Sequence, residues 1–393
     1  MDLTIQPGIL RGTVTAIPSK SQAHRMLICA AFADNPTTLI CPETNQDIEA
    51  TANCLNALGA DIRRTEIGYY VSPAITIPDV TILNCHESGS ALRFLLPIVG
   101  ALGCDATFQM EGRLPQRPLS PLWEEMERMG CTLTRPTAST LRCQGKLRSG
   151  KYEINGGVSS QFVTGLLYAL SLMDGSRELT VTGKIESKPY IDMTLRAMEH
   201  FGINAWNYSF QGKTKYHSPG EALVEGDWSN GAFFLAANAM GNPVTVENLS
   251  SDSPQGDRAV ADWLPRLEDH CVIPAGDIPD LVPILAVVAG AKQGAVFTNI
   301  QRLRLKASDR VASVIAMLTA LGGKAEATED TLTVCGTGYV GGTVNSCNDH
   351  RIAMAAAIAA TACNKPVTIL GAECVKKSYP QFWNEYRHLG GHV

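Results

Sequence analysis

No two of the twelve cysteines stand as C-x-x-C, so the sequence offers neither a zinc knuckle nor a compact disulfide framework. Spread singly from Cys29, Cys41 and Cys54 onward, they read as reduced, mostly buried thiols. Also missing is a G-x-x-x-x-G-K-[ST] loop, which argues against a nucleotide-binding kinase. The start, Met1-Asp-Leu-Thr-Ile-Gln-Pro7, lacks the basic stretch and apolar run of a signal peptide, and Leu281 to Ala291 is too short to span a bilayer. A cytoplasmic protein without a membrane partner is therefore expected. Charged residues make up 18%, the net charge is −5 and the pI about 5.9, so the basic face of a nucleic-acid binder is not expected either.

What is there is an ordinary globular composition, 45% hydrophobic with no polar low-complexity tract, so the whole length should fold. At 393 residues the chain exceeds the size at which single cores stop growing, which predicts two domains.

One unit recurs along the chain: an amphipathic helix ending near Gly, followed by an apolar strand. The copies are Thr51 to Ile62, Leu122 to Leu133, Leu195 to Ala205, Trp263 to Ile273, Val314 to Ala325 and Trp383 to Gly390, with Gly59, Gly130, Gly202, Gly322 and Gly390 at the helix ends and His270 in the fourth copy. These positions lie 71, 72, 68, 52 and 68 residues apart, too far for a solenoid repeat. Each Gly can supply the left-handed residue that ends a helix, and a strand such as Leu332 to Cys335 follows, so six mixed α/β units divide into three plus three. Second helices are expected between them, at Ser21 to Ala33, Ser88 to Gly100, Gln161 to Leu172 and Arg351 to Ala362. Their first turns carry polar motifs, where free N–H groups and a partial positive charge suit an anion.

Cations gather in those motifs. Pro18-Ser-Lys20-Ser21-Gln-Ala-His-Arg25 surrounds a helix start with hydroxyls and charge, and the i,i+4 spacing of Ser21 and Arg25 aims both from one face. Glu87-Ser-Gly89-Ser-Ala-Leu-Arg93 places small residues where backbone could approach a ligand, then an Arg inside an apolar helix that needs a partner. Arg113-Leu-Pro-Gln-Arg117-Pro puts two Arg residues on a rigid loop, suited to an oxyanion. Ser159-Ser160-Gln161 and Ser187-Lys-Pro-Tyr190 read equally as helix caps or as donors to a polyol phosphate. Asp280 precedes a strongly apolar run with no adjacent cation in sequence, a setting expected to raise its pKa and suit a proton acceptor, with a plain helix N-cap as the alternative. Lys306-Ala-Ser-Asp-Arg310, Asn348-Asp-His350-Arg351 and Lys376-Lys377 complete the set; the last two read equally as a surface ion pair, Asp349 with Arg351, and a solvated lysine run.

Taken in order, these motifs resemble those of the 5-enolpyruvylshikimate-3-phosphate synthase family of enolpyruvyl transferases, from Lys20 to Lys377. The resemblance implies an α/β, two-domain, inverted α/β barrel-like fold of six βαβαββ modules. It places one domain at residues 1–17 plus 228–393 and the other at 18–227, with the active site in the cleft between them. It assigns Lys20, Ser21, Arg25, Ser159, Ser160, Gln161, Ser187, Tyr190, Asp280 and Lys306 to shikimate 3-phosphate, and Lys20, Gly89, Arg93, Arg117, Gln161, Arg310, Arg351 and Lys377 to phosphoenolpyruvate. Asp280, Lys20 and His350 take the catalytic roles. The partners implied are those two small substrates, with no metal and no cofactor, and a monomer is expected.

Three positions depart from the family pattern. Ala307 stands where a Glu is usual, removing a carboxylate implicated in proton transfer at the methylene; a catalytically impaired homologue that binds shikimate 3-phosphate is the alternative reading. Arg302 stands where Asn is usual, and Glu87 replaces the more frequent Asn. The related UDP-N-acetylglucosamine enolpyruvyl transferases use a loop cysteine and a Lys-x-x-x-Asn start; residues 112–118 contain no Cys, and no Asn lies between Ser19 and Arg25.

Overall fold

The structure is a computed structural model that describes residues 1–306 and 308–393; Ala307 lies outside the described residues. The chain divides into two compact units: one comprises Met1–Ser19 with Glu225–Val393, the other Lys20–Val224. The division falls after residues 19 and 224, where the sequence suggested 17 and 227. Each unit has its own core, one around Leu27, Phe94, Leu166 and Met198, the other around Phe233, Leu285, Leu318 and Ile352.

Among the described residues, each unit holds three sheets, and every sheet contains one parallel pair of strands. In the Lys20–Val224 unit the pairs are Thr37–Ile40 with Glu221–Leu223, Val80–Asn84 with Asp105–Gln109, and Gly150–Asn155 with Arg177–Thr182. In the other unit they are Gly12–Thr15 with Val244–Glu247, Cys271–Pro274 with Ala295–Thr298, and Gly342–Asn345 with Val367–Leu370. Adjacent parallel strands need a long crossover, and in four of the six pairs a single helix supplies it: Gly89–Leu102, Ser160–Ser171, Val282–Ala291 and His350–Ala359. These helices are apolar almost all round and nearly fully buried, so their polar side chains gather mainly in the first turn and at the start of the second.

The helix-ending glycines adopt the conformation the repeat requires. Gly59, Gly130, Gly202, Gly322 and Gly390 have φ of 100°, 115°, 81°, 89° and 91°. At Gly59 a Cβ would lie 2.2 Å from the Thr76 carbonyl oxygen, so the site excludes a side chain on space as well as on φ. His270 is not among the residues with positive φ: the fourth helix, Val260–Arg266, ends through Leu267 in right-handed conformation instead. The helices beginning at Lys20, Gly89, Ser160 and His350 start within one residue of where the sequence places them, and the last ends at Ala359, three residues before the expected Ala362, with a 3-10 turn over Ala360–Ala362. All twelve cysteines are free thiols, most of them buried, with Cys335 and Cys347 exposed. No helix among the described residues is long and apolar enough to cross a membrane.

Candidate active site

In the Lys20–Val224 unit, polar side chains collect at the starts of five helices. Lys20 opens the helix Lys20–Ala31 and its Nζ pairs with Asp47 Oδ2 at 2.9 Å, in the first turn of the helix Gln46–Ala57. One turn on, His24 Nδ1 and Thr51 Oγ1 meet at 2.7 Å, so the two helices are joined by two rungs at i and i+4 spacing. Burial pushes the His24 imidazole down to about 3, leaving it neutral beside Lys20.

Arg25 is only 2% exposed. Its NH1 donates to the Ser21 carbonyl at 2.6 Å, its NH2 to the Tyr190 carbonyl at 2.8 Å and its Nε to Thr194 Oγ1 at 2.9 Å, while the guanidinium lies 5.1 Å from the centroid of the Phe94 ring. This draws together Ser21, Arg25 and Tyr190 from motifs 165 residues apart. Ser187 precedes the helix Lys188–His200 with φ 55°, a left-handed conformation unusual for a residue with a side chain, and is 2% exposed. Its side chain makes no helix-capping bond, so the capping alternative falls away there. Ser159 does cap its helix, accepting from the Gln161 backbone N–H.

The partner expected for the buried Arg93 is Gln161: Arg93 NH1 donates to Gln161 Oε1 at 2.8 Å, and Gln161 Nε2 donates to Ser90 Oγ at 3.0 Å. Arg93 NH2 also reaches the Pro118 carbonyl at 3.1 Å, tying the helix to the loop that carries Arg117. At Gly89 the backbone lies close against the Arg117 side chain, because a Cβ there would lie 2.5 Å from Arg117 NH1. Arg113, the other half of the expected arginine pair, is exposed; the short 3-10 turn Leu114–Gln116 separates it from Arg117, which is half-buried.

The second unit builds a charge network around Asp280. Arg310 NH1 lies 2.5 Å from Asp280 Oδ1, Arg351 Nε 3.5 Å and Lys306 Nζ 3.7 Å from the same oxygen. The expectation of a raised Asp280 pKa is therefore corrected. Burial pushes the carboxyl up, but Arg351, Lys306 and Arg310 outweigh it and hold Asp280 well below the usual carboxylate range. Sequence distance hid these cations, which arrive from segments 26 to 71 residues away. Asp280 is not a helix cap either: the helix Val282–Ala291 is preceded by Leu281 and has no side-chain cap.

Asp349 is fully buried and caps the helix His350–Ala359, accepting from the Arg351 backbone N–H at 3.0 Å. Its ionic partner is Arg310, whose Nε lies 3.1 Å from Asp349 Oδ2; the surface pair of Asp349 with Arg351 does not form, and Arg351 turns to Asp280. Ser308 Oγ adds a third bond to Asp349. His350 is 7% exposed at the first helical position, and Lys377 Nζ donates to the Asn348 carbonyl at 3.1 Å. Lys377 is half-buried and Lys376 exposed, so the two are not equivalent members of a solvated run. Behind the network, Asp257 is 1% exposed and accepts from the Ser229 hydroxyl; burial and the neighbouring Asp280 push it up to about 6.

Each unit thus concentrates cations and hydroxyls at helix N-termini, the arrangement that binds phosphates and carboxylates. Sequence reasoning missed Asp47, Thr51, Thr164, Thr194 and Asp257. Of these, Asp47 and Thr51 carried a signal, the Asx-type cap at Asn45 followed by residues at i,i+4 spacing on one face.

A family model described as EPSP synthase (3-phosphoshikimate 1-carboxyvinyltransferase) matches residues 5–386. The 3-phosphoshikimate 1-carboxyvinyltransferase of Clostridium beijerinckii is 37% identical over 425 residues, covering 99% of this chain and 98% of the relative. The enzyme of the same name from Clostridioides difficile is 34% identical, covering 100% and 98%. Among solved structures, an EPSP synthase from Acinetobacter baumannii shares the fold with a TM-score of 0.82 at 22% identity, covering 100% of both chains. The enolpyruvyl transferase NikO from Streptomyces tendae does so with a TM-score of 0.73 at 16% identity, covering 99% of this chain and 97% of its own. The cation-bearing helix starts, the six-sheet α/β architecture and these full-length likenesses agree: this chain belongs to the EPSP synthase (3-phosphoshikimate 1-carboxyvinyltransferase) family.

Proposed function

We propose that the chain transfers the enolpyruvyl group of phosphoenolpyruvate to the 5-hydroxyl of shikimate 3-phosphate and releases phosphate, as a step of aromatic amino acid biosynthesis. The family membership is the observation that carries this reading. The chemistry of the two clusters supports it. Two phosphates and two carboxylates brought into one small volume repel strongly, and only a dense set of fixed cations offsets that repulsion.

In the proposed assignment, Ser21, Arg25, Ser159, Ser160, Ser187 and Tyr190 bind shikimate 3-phosphate. Gly89, Arg93 and Arg117, with Gln161 orienting Arg93, serve phosphoenolpyruvate together with Arg310, Arg351 and Lys377. The 5-hydroxyl adds to the enol carbon as the methylene is protonated to a methyl, and loss of phosphate together with a proton from that methyl regenerates the enol ether. Asp280, with Lys306 beside it, accepts the hydroxyl proton. The low pKa that Arg351, Lys306 and Arg310 impose makes it a poor base, but anionic substrate taken up by those cations offsets their field and raises its proton affinity when a base is required. Lys20 acts as acid and base at the bridging oxygen, and His350 positions groups or moves a proton.

The residue types present supply acid, base and electrostatic stabilisation without calling on a metal or cofactor. The reading is of a cytoplasmic monomer, which sedimentation of the purified chain would check. A second reading rests on Ala307: with the family's usual Glu absent, the chain binds both substrates and turns them over slowly. A continuous phosphate-release assay with both substrates present tests the main reading. Release that requires shikimate 3-phosphate supports it, and tight shikimate 3-phosphate binding without release, unrescued by Ala307→Glu, sinks it.

A further inference from the structure

We propose that Thr194 is a positioning residue that locks Arg25 for shikimate 3-phosphate, an inference that rests on the function proposed above. Thr194 lies in the helix Lys188–His200, is completely buried and carries one hydroxyl whose every hydrogen-bonding capacity is used. Its hydrogen goes to the Tyr190 carbonyl at 3.0 Å, one turn back in the same helix. That leaves its oxygen to accept, and it accepts from Arg25 Nε at 2.9 Å and from the Thr164 hydroxyl at 2.8 Å. The donor at the Thr164–Thr194 contact is fixed by elimination, since Thr194 has only one hydrogen to give. Thr164 is itself fully buried in the helix Ser160–Ser171.

The consequence falls on the guanidinium. Arginine has five N–H donors in one plane. Three are held by protein oxygens: Nε by Thr194, one on NH1 by the Ser21 carbonyl and one on NH2 by the Tyr190 carbonyl. One N–H remains on each terminal nitrogen, which is the fork that grips a carboxylate or phosphate in bidentate fashion. The Phe94 ring, 5.1 Å from the guanidinium carbon, adds apolar packing without taking a donor. Without an acceptor at Nε the plane is free to rotate about the side chain, and the remaining fork loses its aim. Thr194 also binds the same Tyr190 carbonyl that receives Arg25 NH2, so one hydroxyl ties the arginine to the first turn of the helix bearing Ser187 and Tyr190. Thr164 completes the set by orienting the Thr194 lone pairs from the helix that begins at Ser160.

The test compares full-length wild type with Thr194→Val, which keeps the shape and removes the hydroxyl, Thr194→Ser, which restores it, and Thr194→Cys, whose sulfur is only a weak acceptor. Shikimate 3-phosphate affinity is measured by titration calorimetry, KM for phosphoenolpyruvate and kcat by phosphate release, and stability by urea unfolding. A hydrogen bond to a charged group sets the expected loss: T194V and T194C weaken shikimate 3-phosphate binding about 10- to 100-fold. T194S stays near wild type, and KM for phosphoenolpyruvate is unchanged in all three. The cysteine variant carries the test should the valine variant fail to fold. Wild-type affinity in either T194V or T194C, or an equal loss in T194S, overturns the positioning role while leaving the function intact. A rise in KM for both substrates in step with lost stability also overturns it, because that is the mark of a purely structural residue. Wild-type protein that fails to bind shikimate 3-phosphate at all overturns the function, and this inference with it.

Discussion

Gly89→Ala separates stability from substrate binding. A Cβ built at this position lies 2.5 Å from Arg117 NH1, 3.1 Å from its Cζ and 3.2 Å from NH2. Ordinary contacts between such atoms begin near ~3.5 Å, so the guanidinium must retreat by roughly 1 Å. Two outcomes compete. Had the obstructing atoms been backbone, the helix start would distort and stability would fall. Here they are the far end of a long flexible side chain, and Gly89 has no left-handed φ that an alanine would strain. Alanine also favours a helix over glycine by about 0.5–1 kcal/mol in a helix interior, and by less at a first turn. The unfolding midpoint is therefore expected to hold or rise slightly. Binding bears the cost instead: misplacing an anion-gripping group by about 1 Å lowers efficiency on the order of 10²-fold. Phosphate-release kinetics should show KM for phosphoenolpyruvate raised about 10- to 100-fold, with shikimate 3-phosphate affinity unchanged by calorimetry because Arg25, Ser187 and Tyr190 are untouched. Unchanged KM for phosphoenolpyruvate, or a large fall in stability, would refute the reasoning.

Three other predictions follow from the charge network and from the sequence. Arg310→Leu leaves the buried Asp349 with only Ser308 and a backbone N–H among the described residues, and should cost about 3–5 kcal/mol in urea unfolding at neutral pH, less in acid as the carboxyl protonates; a pH-independent cost would count against it. Asp257, raised to about 6 when folded, binds a proton that the unfolded chain has already released between pH 4 and 6, so its contribution to stability falls as pH rises through that window and stays low above it. Asp257→Asn should therefore stabilise the protein at pH 7 to 8 by about 1–3 kcal/mol and have no effect near pH 3, which unfolding curves at both pH values would check. Ala307→Glu, restoring the carboxylate usual in the family, should raise kcat by about 10²- to 10⁴-fold if its loss limits turnover; no gain would mean that another group delivers the proton.

The periodic Leu-Gly helix ends made the six-unit architecture legible, because a left-handed Gly after an amphipathic helix leaves a local mark that survives in sequence. Gly59, Gly130 and Gly322 all carry it. The same locality explains the one irregular copy, where His270 replaces Gly and the chain turns without positive φ. Helix starts bearing Lys20, Arg93, Ser160 and Arg351 were also readable, since a cap or a run of small residues announces them. Pairing was not. Asp280 has no cation near it in sequence and three near it in space, which reversed the expected direction of its pKa. Asp349 neighbours Arg351 along the chain yet bonds Arg310 across it. Thr164 and Thr194 left no trace at all, because a buried threonine that orients an arginine, or orients that threonine in turn, is spelled like any other threonine in a helix.

The central claim is most directly tested by identifying the product. The purified chain, incubated with shikimate 3-phosphate and phosphoenolpyruvate, should yield an enolpyruvyl ether of shikimate 3-phosphate, seen as new vinylic protons by NMR, with one inorganic phosphate for each ether formed. Phosphate released without the ether, or release that proceeds in the absence of shikimate 3-phosphate, would contradict the account.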